Sequence, residues 1–277
     1  MLNSIMLKQL TTIEELNEAT MLEKQIWNAD SAQLHYLVAA RDQGAILLGA
    51  FLHDELIGFN YSYPAFVEGE TYLYSHLLGV KREYRELGVG ELLKLELKEV
   101  GLQRGFKKCC WTFDPLESRT AFLNFTKLRA FTNGYYENYF GQLHDYFNSA
   151  LPSDRFTMEW DLEDNDYLRW DKKIEESLEE AKELATWSKS LVGLPMLDKD
   201  ETFDKEQSLT ADAYFVYIPN HFQKIKLESP TLAEDWRYKT RAMMTTLLQQ
   251  NYTAVYLQRV NEHVNRYLFV KRGQFAI

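Results

Sequence analysis

Apolar and polar positions change period repeatedly along the first 160 residues, and each change marks an element. Residues 4 to 10 alternate as a strand, and Thr12 with Glu15 forms a capping box that opens a helix running through Leu16, Leu22 and Ile26. A second helix is predicted from Ser31 to Asp42, ending at Gly44. AILLGAFLH, LIGFNYSYPAFV and TYLYSHLLGV follow as three strand-like segments, the first two joined by a polar turn at Asp54 and Glu55. From Gly88 the period becomes helical, with Val89, Leu92, Leu93, Leu97 and Val100 on one face and a stop near Gly105. CCWTF reads as a buried strand, and Asp114-Pro115-Leu116-Glu117 predicts the N-cap, N1 proline and N3 glutamate of a helix reaching Leu128. GYYENYF and RFTMEW are two further strands.

This order implies a mixed α/β (α+β) domain over residues 1–165, a mostly antiparallel sheet with helices packed on its faces. Beyond it, EDNDY leads into a charged helix from about Trp170 to Leu191 and a loop rich in Asp, Glu and Lys up to Thr210. YFVYIP is a predicted strand, Pro230 to Gln250 a helix with proline in its first turn, and TAVYLQRV with RYLFVK a hairpin. Residues 166–277 are therefore expected as a smaller C-terminal α+β domain, or as an extension docked onto the first sheet.

Composition narrows the function. The 277 residues are 45% hydrophobic, enough for a substantial core, and a net charge of -10 argues against sequence-independent nucleic-acid binding. An acidic surface leans instead towards a cationic substrate. The two cysteines, Cys109 and Cys110, are adjacent and poorly placed for a disulfide, which fits a reducing compartment. No basic-then-apolar leader and no run of about 18 apolar residues is present, so a cytoplasmic protein without a membrane partner is expected. His35, His53 and His76 are widely separated and His144-Asp145 stands alone, a distribution without zinc spacing, so no metal is expected.

The chemistry concentrates in VKREYRELGVGELL, between an apolar strand and an amphipathic helix. A helix N-terminus presents unpaired N–H groups and the positive end of a macrodipole to phosphate oxygens, and glycines at 88 and 90 let a pyrophosphate approach the backbone. The plain alternative is a tight strand-to-helix turn. A third glycine for the dinucleotide fingerprint is missing, and Gly90 is followed by Glu91 rather than the Lys-Ser/Thr of a P-loop.

Val80 followed by Arg85-x-x-Gly88-x-Gly90 resembles the coenzyme A signature of the GNAT acetyltransferase superfamily, and the element order over residues 1 to 162 is similar to that fold. The resemblance implies a splay between the fourth and fifth strands that admits the pantetheine arm, with Leu78, Gly79 and Val80 offering it backbone groups. It implies that Arg85, Glu86, Leu87, Gly88, Val89, Gly90 and Glu91 hold the pyrophosphate. DPLESRTAFLNFTKL, LPSDRF-x-MEW and IPNHFQ are similar to a little-characterised subgroup of predicted acetyltransferases with an added C-terminal domain. The implied activity is acyl transfer, from acetyl-coenzyme A as donor, to a small-molecule or peptide amine by direct transfer. A non-catalytic acyl-CoA-binding or regulatory module is the alternative, and an interaction protein a third.

The tyrosine that protonates the leaving thiolate in many GNAT enzymes corresponds here to Phe125, which cannot donate, and Ser118 and Arg129-Ala130 depart from the usual residues of the same helix. Tyr135 or Tyr136 could substitute, although strand aromatics are usually packing. His76, two residues before Leu78, is a candidate base, against the plainer reading of a hydrogen-bonded structural histidine. Asp114 is a candidate already explained as a helix cap. Trp236, Arg237, Lys239 and Arg241 form a basic and aromatic group, read either as a solvated helix face or as a wall of the acceptor site.

Overall fold

The computed structural model describes residues 4–28, 33–141, 151–198 and 208–273. The expected helix start at Ser31, the His144-Asp145 pair and most of the charged loop before Thr210 lie outside the described residues. The chain divides into two compact units, the first comprising Met1–Trp111 with Glu159–Asp164, the second most of the remainder from Thr112 onward. Asn165 onward belongs to the second unit, as does Thr112 to Met158 apart from a few residues, and Glu159–Asp164 belongs to the first.

In the first unit, Ile5–Gln9 (β1) leads through Thr12 into Ile13–Trp27 (α1), where both arms of the capping box are made. Leu34–Asp42 (α2) precedes the meander Ile46–Leu52 (β2), Glu55–Val67 (β3) and Glu70–Val80 (β4). The meander forms because its turns, His53-Asp54 and Glu68-Gly69, place both central residues at positive φ, the twist that matches antiparallel strands. Val89–Gln103 (α3) follows and returns the chain to Lys108–Phe113 (β5), giving the order β1-β2-β3-β4-β5. Only the last pair is parallel, and it is short: Leu73 opposite Cys109 and Tyr74 opposite Cys110.

One sheet face packs on α1 and α2 through Leu16, Ala19, Leu22 and Leu37 against Leu47, Phe51, Phe59 and Tyr61. The other packs on α3, whose Val89, Leu93 and Leu97 are fully buried as the periodicity requires. Gly79 is fitted to the first face: a Cβ there would lie 2.8 Å from the Phe59 ring and 2.9 Å from Trp27.

The second unit contains Ser118–Ala121 (α4), continued as a π-helical turn over Phe122–Lys127, then Phe131–Tyr136 (β6) and the first part of Arg155–Asp161 (β7), as far as Met158. Tyr167–Glu180 (α5), Lys182–Glu183 (β8), Trp187–Lys189 (β9), Pro195–Leu197 (β10) and Ala213–Pro219 (β11) come next. Phe222–Glu228 (α6), Pro230–Gln249 (α7), Tyr252–Arg259 (β12) and Val264–Lys271 (β13) complete it. β12 pairs with β6 at Ala254 and Thr132 as well as with β13, so the C-terminal hairpin extends a sheet. No helix among the described residues is long and apolar enough to cross a membrane.

Three expectations are corrected. The charged helix expected to reach Leu191 stops at Glu180, because Ala181 turns extended and Lys182–Glu183 pairs beside β11. The strand expected over GYYENYF ends at Tyr136, where Asn138 enters the left-handed region and its N–H donates to Asp154. Asp114 does not cap a helix: α4 starts only at Ser118 without a side-chain cap, and Asp114 closes a local turn by accepting from the Leu116 N–H.

Asp114 is claimed by a larger interaction. Trp236 and Arg237, expected on a solvated face, are 0% and 1% exposed, and Arg237 binds the Asp114 carboxylate through both terminal nitrogens. Arg241, one turn later, grips both oxygens of the fully buried Asp154 at 2.8 and 2.7 Å. Burial alone would raise the Asp114 pKa, but the Arg237 charge and hydrogen bonds override it and hold the carboxyl below its ordinary value.

Two predictions follow from these contacts. Gly79→Ala forces a β-carbon into rigid rings and is expected to cost about 1–3 kcal/mol, read as a lower urea midpoint; an unchanged midpoint contradicts the close approach. Arg237→Met strands the Asp114 charge and is expected to cost about 3–5 kcal/mol at neutral pH. A depressed carboxylate stabilises above its unfolded pKa and loses that contribution as pH falls through the folded one, so the gap between wild type and variant should narrow below about pH 4.

Candidate active site

After Tyr74 and Cys110, β4 and β5 stop pairing, and among the described residues Ser75 to Val80 pair with β3 alone. Leu78, Gly79 and Val80 stand opposite Asn60, Phe59 and Gly58, so one edge of this stretch is closed by β3 and the other is open to a ligand's amide groups. The chain then takes a 3₁₀ turn over Arg82–Leu87, pinned where the Arg85 Nε donates to the Val80 carbonyl at 3.1 Å. Glu86 and Leu87 end that turn.

Gly88 stands at φ +70° as the N-cap of α3, a conformation that favours glycine, with open space where a β-carbon would lie. Among the described residues no side chain caps α3. Its first intrahelical bond runs from the Leu92 N–H to the Gly88 carbonyl, so the N–H groups of Val89, Gly90 and Glu91 have no acceptor inside the helix. An uncapped helix start beside an open strand edge fits a ligand carrying phosphates at one end and amides along its arm.

His76 is the extra residue of a β-bulge: Tyr61 faces Leu77 and Ser62 faces Ser75, leaving His76 without a counterpart on β3. The bulge turns its ring towards Tyr63 and Tyr74, at centroid distances of 5.5 and 6.3 Å. Lost hydration among these rings lowers the imidazole pKa, which keeps a neutral, proton-accepting nitrogen at physiological pH although part of the ring is exposed. No hydrogen bond or ion pair holds this ring among the described residues, unlike the structural histidine weighed as its plainer reading.

On the opposite face of β4 lies a buried polar chain that the sequence reading missed. Lys94 Nζ donates to Ser75 Oγ at 2.9 Å and stands 3.7 Å from the centroid of the Trp111 ring. Asn60 donates to the same Ser75 oxygen at 2.9 Å and accepts from Ser62 at 2.7 Å. The signal was present: Lys94 and Lys98, one turn apart, border the apolar stripe of α3, and both are buried.

Asp114 and Tyr135 are engaged within the second unit. Asp114 is held by Arg237, and the Tyr135 hydroxyl donates to Asp154, which together with burial raises the phenol pKa. Phe125 is fully buried among Phe113, Phe156 and Tyr267. Cys109 and Cys110 are free thiols, both buried, with pKa values raised by burial. Among the described residues no group of three or more His, Cys, Asp or Glu side chains could hold a metal ion.

Among solved structures, the ribosomal-protein-S18-alanine N-acetyltransferase of Escherichia coli is 14% identical, with 57% of this chain covering 94% of that one at a TM-score of 0.47. An N-acetyltransferase of Staphylococcus aureus Mu50 is 16% identical, over 57% of this chain and 99% of that one, at 0.49. A GNAT-family acetyltransferase of Streptococcus pneumoniae is 15% identical, over 56% and 98%, at 0.45. No curated protein sequence matches the chain. Residues 9–127 match the model of the Acetyltransferase (GNAT) family, a span that includes β4, the Gly88 turn and the whole of α3.

Proposed function

We propose that this domain binds acetyl-coenzyme A and transfers the acetyl group directly to an amine acceptor. The observation that carries the reading is the uncapped start of α3 at Gly88 next to the open edge of β4. In it, the N–H groups of Val89, Gly90 and Glu91, with Arg85 and the preceding turn, hold the pyrophosphate. The backbone of Leu78, Gly79 and Val80 pairs with the pantetheine amides. The donor brings an activated thioester, and the chain's own residues orient it and manage the protons.

His76 is placed to take the proton that the amine sheds on attack, with a neutral imidazole at physiological pH. A net charge of -10 favours an acceptor that arrives as a cation, a small amine or the amine of a peptide. A second reading, a non-catalytic acyl-CoA-binding module, is favoured by Phe125, which has no proton to give, and by Tyr135, whose hydroxyl is occupied by Asp154. Thiol release from acetyl-CoA over a panel of amines separates the two: turnover supports the transferase, and tight binding without turnover supports the module.

The binding step has its own test in thermal or urea unfolding with and without CoA. Wild type is expected to gain about 2.7 kcal/mol at a ligand concentration 100 times Kd, and Gly88→Trp and Gly90→Trp to lose most of that gain. Equal stabilisation of all three proteins would falsify the proposed loop.

A further inference from the structure

Lys94 is only 2% exposed, on the face of α3 that packs against the sheet. Burying an ammonium there without a carboxylate is costly, and a leucine would fill the space at less expense. Among the described residues the cation's partners are the Ser75 hydroxyl and the Trp111 ring. Burial lowers its pKa to about 8, and the one titratable neighbour acting on it, Cys109, is itself raised and remains a thiol. The remaining polar groups around it, Asn60 and Ser62, do not titrate. Lys94 therefore keeps a transferable proton at neutral pH and gives it up easily.

Its place in the fold is specific. The last β4–β5 pair is Tyr74 with Cys110, and Ser75 and Trp111 are the next residue on each strand. The ammonium touching both thus stands where the strands part. From Val80 back to Ser75 the strand rises about 3.3 Å per residue, or about 17 Å in all, a reach comparable to an extended pantetheine arm. With the pyrophosphate at Gly88 to Glu91, the sulfur arrives at Ser75. His76 lies on the other face of β4 through its bulge, so a proton acceptor and a proton donor flank the same point of the strand.

We propose that Lys94 is a catalytic residue that protonates the thiolate leaving the acyl group. The step rests on the coenzyme A reading above. The neutral amine attacks the thioester carbonyl carbon, a C–N bond forms, and the carbonyl π pair moves to oxygen. When that pair returns, the C–S bond breaks and its electrons leave on sulfur, which takes a proton from the Lys94 ammonium. The amide nitrogen sheds its extra proton to His76, and solvent restores the proton on Lys94 after the thiol departs. An ammonium serves here where Phe125 offers no hydroxyl and the Tyr135 hydroxyl is bound to Asp154.

The test uses the full-length protein, Lys94→Met and Lys94→Gln, with folding checked by circular dichroism and CoA affinity by calorimetry. In an acceptor-free measurement, the thiol of bound CoA is titrated by its ultraviolet thiolate absorbance. It should ionise about one pH unit lower on wild type than on Lys94→Met, because an adjacent ammonium favours the thiolate. In the second measurement, thiol release from acetyl-CoA with the best amine of the panel should fall roughly 100-fold or more in either variant, with CoA affinity nearly unchanged. The wild-type rate should also decline above pH about 8, a limb absent from both variants. Identical thiol titrations, or equal rates with the same alkaline limb, overturn the proposal. If Lys94→Met does not fold, Lys94→Gln, which keeps a donor for Ser75, carries the comparison. Failure of wild type to bind CoA removes the binding reading and this proposal together. Binding without turnover on any amine removes the transferase reading with this proposal and leaves coenzyme A binding standing, whereas turnover with identical thiol titrations removes the proposal alone.

Discussion

Everything proposed for this domain depends on β4 losing β5 as its partner after one short parallel contact at Leu73–Cys109 and Tyr74–Cys110. A strand with one edge paired and one edge free has backbone groups that must find water or a ligand. Beyond the parting, β4 runs on to Val80 beside β3, and the chain turns through Gly88 into a helix whose first N–H groups have no acceptor inside the helix. Two sets of backbone groups outside the regular ladder and helix bonds thus lie in sequence, one suited to amides and one to phosphates. Neither requires a particular side chain, which is why glycines and an apolar strand carry the recognition.

Much of this was legible in the sequence because it is local. The capping box at Thr12 and Glu15, the three strands of the meander and the helical period from Val89 depend on neighbours within a few residues, and the structure reproduces them. The glycines at 88 and 90 could be placed at a strand-to-helix junction for the same reason. The bulge at His76 was not legible, since it is a register shift between two strands and leaves no mark in either alone.

The misreadings share one physical cause. Asp114 was read as a cap from Pro115 and Glu117, and Arg237 as part of a solvated face from its charge. Each reading is locally sound. The two residues are 123 positions apart in the chain, and only folding reveals that each is the other's partner. Lys94 was hidden in the same way, because a lysine next to an apolar stripe looks like its solvent-facing border until Ser75 and Trp111 are seen to enclose it. Long-range pairing of buried charge defeats pattern reading, and buried charge is where the chemistry of a site tends to be stored.

That storage separates the polar groups by availability. Asp114, Asp154, Arg237 and Arg241 neutralise one another, and removing any of them would leave an uncompensated buried charge, so their task is to fix the second unit. Tyr135 is drawn into the same set through Asp154. His76 and Lys94 differ in kind: among the described residues neither is held by a carboxylate, lost hydration lowers both pKa values, and His76 lies on the strand whose edge is free while Lys94 reaches that strand from α3 through Ser75. A group whose charge is not cancelled by a fixed partner can change protonation without unfolding its surroundings. On that ground the proton traffic of an acyl transfer belongs to the two residues flanking β4, and the acidic candidates of the second unit belong to its architecture.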